Sequence, residues 1–208
     1  MPPSNSNPLA LLQQLCDQYL DRDLKRDEVI QMRKATSQHL VPLMEHSRKI
    51  FLLGSFDDNE KERVKLVQNV FDSLYRIRGS SQARVYTMDE IPGQDIWINL
   101  DFKFRLLADI SDYIVGVVEH DEGGFMFEQG ILATNPDYRK RTRLLKREYG
   151  TTEREYAHYS AMQSEGLFEE LDSRDQLFRW QDGGDLVEKT EDIFRDIESE
   201  DYRHESNR

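Results

Sequence analysis

The apolar run DYIVGVVE at residues 112–119 constrains the fold of this chain more than any other feature. Its length and its continuous apolar content are typical of a strand that is covered on both faces. Other short runs are also predicted as strands: KIFLLGS at 49–55, RVYTM at 84–88, RTRLLKR at 141–147 and QLFRW at 176–180. Longer amphipathic stretches separate them, so we predict a parallel sheet with helices on both sides.

The predicted helices fall between these strands. After the first strand, Asp57 or Asp58 is placed to cap a helix, and Gly79 is a natural end for it. Further helices are predicted around Trp97 to Ala108, from about 125 to 133, and over 184–197. Five strands in this alternation predict an α/β fold, a flavodoxin-like three-layer sandwich whose parallel sheet has the order 2-1-3-4-5.

The first part of the chain contains no strand candidate. Leu9, Leu12 and Tyr19 share one helical face, and a second helix is predicted over residues 26–44, with Pro42 near its end. We therefore expect an N-terminal helical extension over 1–47 that serves as a cap or an interaction segment. The α/β domain would cover 48–198, and 199–208 would form a disordered acidic tail.

The net charge of the chain limits the kinds of ligand that it is expected to bind. The 208 residues include 40 acids against 28 Lys and Arg, for a formal net charge of −12, and only nine of the basic residues are Lys. A chain this acidic is not expected to bind nucleic acid, since it cannot neutralise phosphates on a large scale. Acid excess with scarce Lys is typical of halophilic archaeal proteins, although an acidic mesophilic protein has the same signature.

The single Cys16 allows no disulfide within the chain and is predicted to be a buried, small apolar residue. No segment has the 18 or so apolar residues of a membrane span. The start MPPSNSNPLA does not resemble a signal peptide. These features predict a cytoplasmic protein that does not contact a membrane.

A sheet of order 2-1-3-4-5 binds its ligands beyond the carboxyl ends of strands one and three. The loop GSFDD, with Gly54, Ser55 and Phe56, follows strand one. The loop after strand three contains Gly123 and Gly124, which allow a ligand to approach the backbone closely.

Glu128 follows these glycines by about one helical turn, where the positive end of the helix would keep its carboxylate ionised. A positioned carboxylate can attack an anomeric carbon and hold it as an ester, with a second acid assisting. The alternative is an ordinary solvated surface acid.

The segments KIFLLGSF and LDFKFRLLADISDYIVGVVEHDEGGFMFEQGILA resemble the nucleoside 2-deoxyribosyltransferase superfamily. The resemblance covers residues 48–135 and extends loosely to 197. It implies that Glu128 is the nucleophile, that Gly130 is the glycine following it, and that Glu122 assists. The family's Asp on the preceding helix is replaced by Phe104, and Asp101, one turn earlier, is the best substitute.

The same core is similar to TIR-like domains, in which a Glu can cleave the nicotinamide–ribose bond of NAD. Both resemblances imply an enzyme that cleaves or transfers at the N-glycosidic bond of a nucleoside or nucleotide, without a metal or redox cofactor. A homo-oligomer is a further expectation, since members of the superfamily often complete their sites across subunits. The rival hypothesis is a non-catalytic nucleotide-sensing or interaction module, which the replacement at Phe104 favours.

Other polar groups carry less specific signals. A metal site could be suspected at His120, Asp121 and Glu122, but no second His is spaced to complete it. We therefore predict that these residues belong to a solvated loop. The basic run RKRTR at 139–143 is expected to neutralise neighbouring acids rather than to bind phosphates. Tyr86 and Trp97 are expected in the core rather than stacked on a base.

Overall fold

A computed structural model describes residues 8–19, 24–55, 60–79, 82–92, 97, 99–120, 125–151, 158–159 and 163–206. Its strands are β1 (Arg48–Leu53), β2 (Ala83–Thr87), β3 (Tyr113–Val118), β4 (Thr142–Arg147) and β5 (Leu177–Trp180). They form one parallel sheet in the order β2-β1-β3-β4-β5, which confirms the predicted fold class and strand order. In the register, Ile114 of β3 lies opposite Thr142 of β4, and Leu144 of β4 lies opposite Leu177 of β5.

Helices follow the strands as the alternation predicts. Their bounds are α1 (Pro8–Tyr19), α2 (Arg26–Ala35), α3 (Val41–Met44), α4 (Lys61–Ile77), α5 (Leu100–Ile110), α6 (Phe125–Thr134), α7 (Pro136–Arg141), α8 (Glu169–Asp172) and α9 (Gly183–Ser206). A π-helical segment, Thr36–Leu40, joins α2 to α3, and another, Gln163–Phe168, precedes α8. Gly79 lies just after α4 with φ of +70°, as expected for a glycine that ends a helix. The proposed capping residues Asp57 and Asp58 lie outside the described residues.

The contacts of the chain divide it into two compact units. The first comprises Met1–Phe51 and Gln82–Asp112. Within it, the ring of Phe51 stacks on Tyr86 with centroids 5.5 Å apart and lies 5.7 Å from Phe104. The Arg105 guanidinium of α5 lies 4.6 Å from the ring centroid of Tyr19 in α1. Helix α1 therefore packs against α5 within this unit. The domain boundary at residue 47 stays a prediction.

The second unit comprises Leu52–Ser81 and Tyr113–Arg208. Every residue of β3 is buried in it, as expected for a strand covered on both faces. Helix α4 packs against α9, where the Phe194 ring meets the rings of Phe71 and Tyr75 at centroid distances of 6.5 and 4.9 Å. These aromatic contacts join the first and the last helix of the unit.

Helix α9 continues to Ser206, whereas the sequence predicted an end at 197 and a disordered tail from 199. Side-chain contacts explain the added turns. Arg143, buried in β4, pairs with Asp196 and, at 2.7 Å, with Glu200. The Tyr113 hydroxyl donates to Asp201 Oδ1 at 3.0 Å. The acids that suggested a solvated tail are thus partners of residues in the sheet.

Candidate functional site

Gly54 directly follows β1 and packs tightly. A Cβ at this position would lie 2.6 Å from Cγ2 of Val64 in α4 and 3.4 Å from the carbonyl oxygen of Val117 in β3. The helix thus approaches the sheet so closely that no side chain fits. The sequence suggested Gly54 as a ligand-approach residue, and the structure supplies a packing reason for the glycine. Ser55 beside it is partly buried, and Phe56 lies outside the described residues.

Glu128 is the fourth residue of α6 and is partly buried. Its Oε2 atom is buried and has no hydrogen-bond partner among the described residues. Burial raises the pKa of the Glu128 carboxyl, and a hydrogen bond from its own backbone N–H opposes this more weakly. Burial and the hydrogen bond at the helix start thus act on the Glu128 pKa in opposite directions, and burial has the larger effect. Glu122, Gly123 and Gly124 lie outside the described residues.

Near Glu128, α6 presents two residues to solvent. Phe127 is 56% exposed, and Gly130 is exposed with nothing within 4 Å of the position of an added Cβ. The described surroundings thus give no packing reason for a glycine at 130. Its predicted role beside a bound ligand stays a prediction.

Asp101 lies in the first turn of α5, in the first unit. Its Oδ1 pairs with Arg105 Nε at 2.8 Å, one turn along the same helix. Phe104, at the position of the superfamily's Asp, is fully buried beside Phe51. Asp101 thus serves a local ion pair, and Phe104 is part of the core.

Charged side chains form a cluster around Glu119, the residue after β3, which no sequence pattern predicted. The Glu119 side chain is only 5% exposed and pairs through both carboxylate oxygens. Oε1 lies 2.7 Å from Arg63 Nη1 in α4, and Oε2 lies 2.9 Å from Arg147 Nη1 at the end of β4. We call these three residues the Arg–Glu–Arg cluster.

Two aromatic rings lie beside the cluster. The guanidinium carbons of Arg63 and Arg147 lie 5.9 and 5.3 Å from the ring centroid of Trp180, the last residue of β5. Arg147 also lies 5.2 Å from the ring of Tyr149, whose hydroxyl donates to the Glu119 carbonyl oxygen. Cation–π contacts of this kind fix the orientation of a guanidinium group.

His120 follows Glu119 directly. The sequence predicted a solvated side chain here, whereas the structure shows it paired. Its Nε2 atom forms a hydrogen bond with Glu60 Oε1. Among the described residues, no three His, Cys, Asp or Glu side chains are grouped so that they could hold a metal ion. On the other side, the ring of Tyr149 stacks on His158 with centroids 3.7 Å apart.

Only one signal in the sequence could have pointed to this cluster. Glu119, Arg147 and Trp180 each stand at the carboxyl end of a predicted strand, and such ends meet at one edge of a parallel sheet. Arg63 carries no such signal, since the start of α4 becomes its neighbour only through tertiary packing. The partners of Glu119 lie 56 and 28 residues away in the chain.

Several secondary predictions are confirmed. Within the basic run, Arg139 pairs with Glu170 at 2.7 Å and Arg143 with two acids of α9. Tyr86 and Trp97 are fully buried core residues. Cys16 is buried, and burial raises the pKa of its thiol.

The model of one protein family, described as a family of unknown function (DUF8170), matches residues 1–166. Comparison with curated proteins and with solved structures gives no match. In the parts of the chain that the structure describes, no helix has both the length and the apolar character needed to cross a membrane.

Proposed function

The chain belongs to DUF8170, a family of unknown function, and on that premise we propose that it cleaves or transfers at the N-glycosidic bond of a nucleoside or nucleotide. Glu128 is the nucleophile in this proposal. The observation that supports it best is the buried Oε2 atom of Glu128, which lacks a hydrogen-bond partner among the described residues. A carboxylate with one buried oxygen that has no partner among the described residues, in the helix that follows β3, lies where ligands are expected in this fold.

The proposed chemistry has two steps. The Glu128 carboxylate attacks the anomeric carbon, a C–O ester bond forms, and the C–N bond to the base breaks. The departing base keeps the bonding electron pair and takes a proton from a general acid, the role proposed for Glu122. Water or a second base then attacks the same carbon, gives its proton to the ionised Glu122, and releases the Glu128 carboxylate. Hydrolysis and transfer differ only in that second attacking group.

Burial of Glu128 bears on the pH dependence of this reaction. A desolvated carboxylate is more basic, and once ionised it is a stronger nucleophile than a solvated one. Because its pKa is raised, the ionised fraction falls at a higher pH than for an ordinary Glu. We therefore expect kcat/KM to decline toward acid pH with a midpoint above the ordinary Glu pKa of about 4.3.

The test is incubation of the full chain with nucleosides, nucleotides and NAD, with released base followed by chromatography. The wild type is compared with Glu128→Gln, which keeps the shape and removes the nucleophile. We expect base release to fall by several orders of magnitude in this variant. Glu191→Gln, an exposed acid of α9 paired with Arg195, is the matched control and should keep full activity.

The covalent step has its own readout. Mass spectrometry of quenched wild-type reactions should detect a glycosyl adduct on the peptide that contains Glu128. Base release that is equal in wild type and Glu128→Gln would remove Glu128 from the mechanism. Release from NAD alone would favour the TIR-like reaction over nucleoside processing.

One observation favours the alternative of a nucleotide-sensing module. Phe104, at the position of the superfamily's Asp, is fully buried, and the proposed substitute Asp101 is engaged in an ion pair with Arg105. A ligand would then bind without being cleaved. Binding of a panel member with no base release, unchanged in Glu128→Gln, would support this second function.

A further inference from the structure

Phe127, in the first turn of α6, has surroundings unlike those of the other phenylalanines. Phe51, Phe71, Phe168 and Phe194 each pack against another aromatic ring. Of the phenylalanines whose side chains the structure describes, Phe127 alone is exposed, and its ring contacts none of the other described rings. Burial stabilises a Phe side chain, and the fold gains little of that stabilisation at this position.

The helix surface next to Phe127 is open at Gly130. This glycine lies three residues further along, on the same side of α6, and is exposed with nothing within 4 Å of an added Cβ. Thr134 follows one turn later, and its hydroxyl donates to the carbonyl oxygens of Gly130 and Ile131 at 3.0 and 3.2 Å. That hydroxyl is thus turned back onto the helix. At 130, α6 therefore leaves room beside the Phe127 ring for a flat group.

Phe127 directly precedes Glu128, so their Cα atoms are about 3.8 Å apart. Side chains of an α-helix tilt toward its N-terminus, and the N-terminal end of α6 is the end that follows β3. Both side chains thus lean toward the edge of the sheet where ligands are expected. Glu128 offers a carboxylate with one buried oxygen at this edge, and Phe127 offers an exposed aromatic ring.

The structure of an N-glycoside connects these two side chains. In the proposed reaction, the anomeric carbon lies about 3–3.5 Å from the attacking oxygen of Glu128. The base is bonded directly to that carbon, so it also lies within a few ångströms of the carboxylate. A side chain next to Glu128 in the helix is therefore within reach of the base. An aromatic ring is suited to this contact, because every nucleobase has a flat π face that can stack on it.

We propose that the heterocyclic base of the nucleoside or nucleotide stacks on Phe127, which thereby positions the base beside Glu128. The inference rests on the proposed function and adds a base-binding residue to its site. A phenyl ring has no hydrogen-bonding group with which to distinguish one base from another. We therefore expect Phe127 to accept both purines and pyrimidines.

Adenosine and ribose are the test ligands, because they differ only in the presence of the base. Their binding to the full chain is measured by calorimetry in the Glu128→Gln background, in which a bound nucleoside should stay intact. We expect adenosine to bind about 10- to 100-fold more tightly than ribose, since ribose has no base to stack on the ring. Uridine should also bind more tightly than ribose.

Substitutions at Phe127 assign this preference to its ring. Phe127→Leu keeps an apolar side chain but removes the π face, so it should weaken adenosine binding about tenfold and leave ribose binding unchanged. Phe127→Trp keeps a π face and should retain the preference for adenosine. Tyr202→Leu, which removes an exposed aromatic ring of α9, is the matched control and should bind both ligands as its parent does. A change in melting temperature in Phe127→Leu, with the ratio of the two affinities unchanged, would show a purely structural role and would reject the inference.

Equal binding of adenosine and ribose would overturn the inference, and so would a preference for adenosine that survives in Phe127→Leu. Size-exclusion chromatography tests the rival occupant of this surface, a second copy of the chain. A wild-type oligomer that Phe127→Ser dissociates would assign the ring to a subunit interface and would also overturn the inference.

These outcomes are separable from those of the proposed function, because binding needs no turnover. Adenosine binding that depends on Phe127, without base release by the wild type, would retain this site and reject the glycosidic reaction. Base release by the wild type, with adenosine binding that is unchanged in Phe127→Leu, would retain the reaction and reject this site.

Discussion

Glu128 and Glu119 lie within ten residues of each other in the chain, yet their carboxylates have opposite surroundings. Glu119 is buried between two arginines, which compensate its charge. Glu128 has an oxygen buried without a partner among the described residues, and its pKa is raised. A charge buried without compensation destabilises the folded state, and such costs are characteristic of functional residues.

The cost at Glu128 predicts a pH-dependent effect on stability. Because the folded pKa lies above the unfolded one, the native state binds more protons between the two values, and stability falls as pH rises through that window. Glu128→Gln removes the charge and should raise the melting temperature at neutral pH. This rise in melting temperature should become smaller below the ordinary Glu pKa of about 4.3, where Glu128 is neutral in both the folded and the unfolded state.

Differential scanning calorimetry across pH measures this effect. Glu191→Gln is again the control, and its melting temperature should stay close to that of the wild type because exposed ion pairs contribute little. A Glu128→Gln protein that is less stable than the wild type at neutral pH would mean that the carboxylate has a partner that stabilises it.

At the scale of elements, α4 lies close to the sheet at Gly54. An alanine methyl group at this position would lie 2.6 Å from Cγ2 of Val64. Val64 is β-branched and has few allowed rotamers, so its side chain cannot move aside easily. Gly54→Ala should therefore destabilise the protein by about 1–3 kcal/mol, the usual cost of overpacking. Chemical denaturation gives this free energy of unfolding directly.

Gly130→Ala is the matched substitution, since an added Cβ at 130 meets nothing within 4 Å. Within helix α6, alanine should stabilise by about 0.5–1 kcal/mol through its higher helix propensity. We thus predict that Gly54→Ala lowers the free energy of unfolding and that Gly130→Ala raises it. Similar effects at both glycines would contradict the close approach of α4 to the sheet.

Sequence patterns were sufficient to predict β3 but not the end of α9. The run at 112–119 predicted β3 because continuous apolar content identifies a covered strand without reference to its neighbours. The end of α9 was predicted too early because Glu200 and Asp201 look solvated until Arg143 and Tyr113 become their partners. Helix ends that depend on long-range pairs carry no local signal.

In the candidate site, too, residues within a local sequence pattern could be predicted, and residues brought together by tertiary packing could not. Glu128 was found because the residues around it carry a local pattern, a glycine-containing loop leading into a helix. The Arg–Glu–Arg cluster was not found, because its three charges come from α4, the end of β3 and β4. Each charge alone resembles an ordinary surface residue in a chain in which a third of the residues are charged.

At the scale of the whole molecule, the net charge of −12 should make stability depend on salt. Screening weakens the repulsion among surplus acids, while the nearly buried Glu119 pairs are screened much less. We expect the melting temperature to rise by several degrees as KCl is increased from low to molar concentration. An uncharged osmolyte of equal osmolality is the control. A melting temperature that falls with KCl would show that surface ion pairs outweigh the repulsion.

The packing of α4 against α9 has a consequence for biosynthesis. Phe71 and Tyr75 are made early, yet the ring that covers them, Phe194, lies more than a hundred residues further along the chain. While the ribosome is still translating the middle of the message, this aromatic face of α4 has no Phe194 to pack against. The nascent second unit is thus exposed to aggregation until α9 emerges, and this is the interval in which a chaperone would be of most use to it.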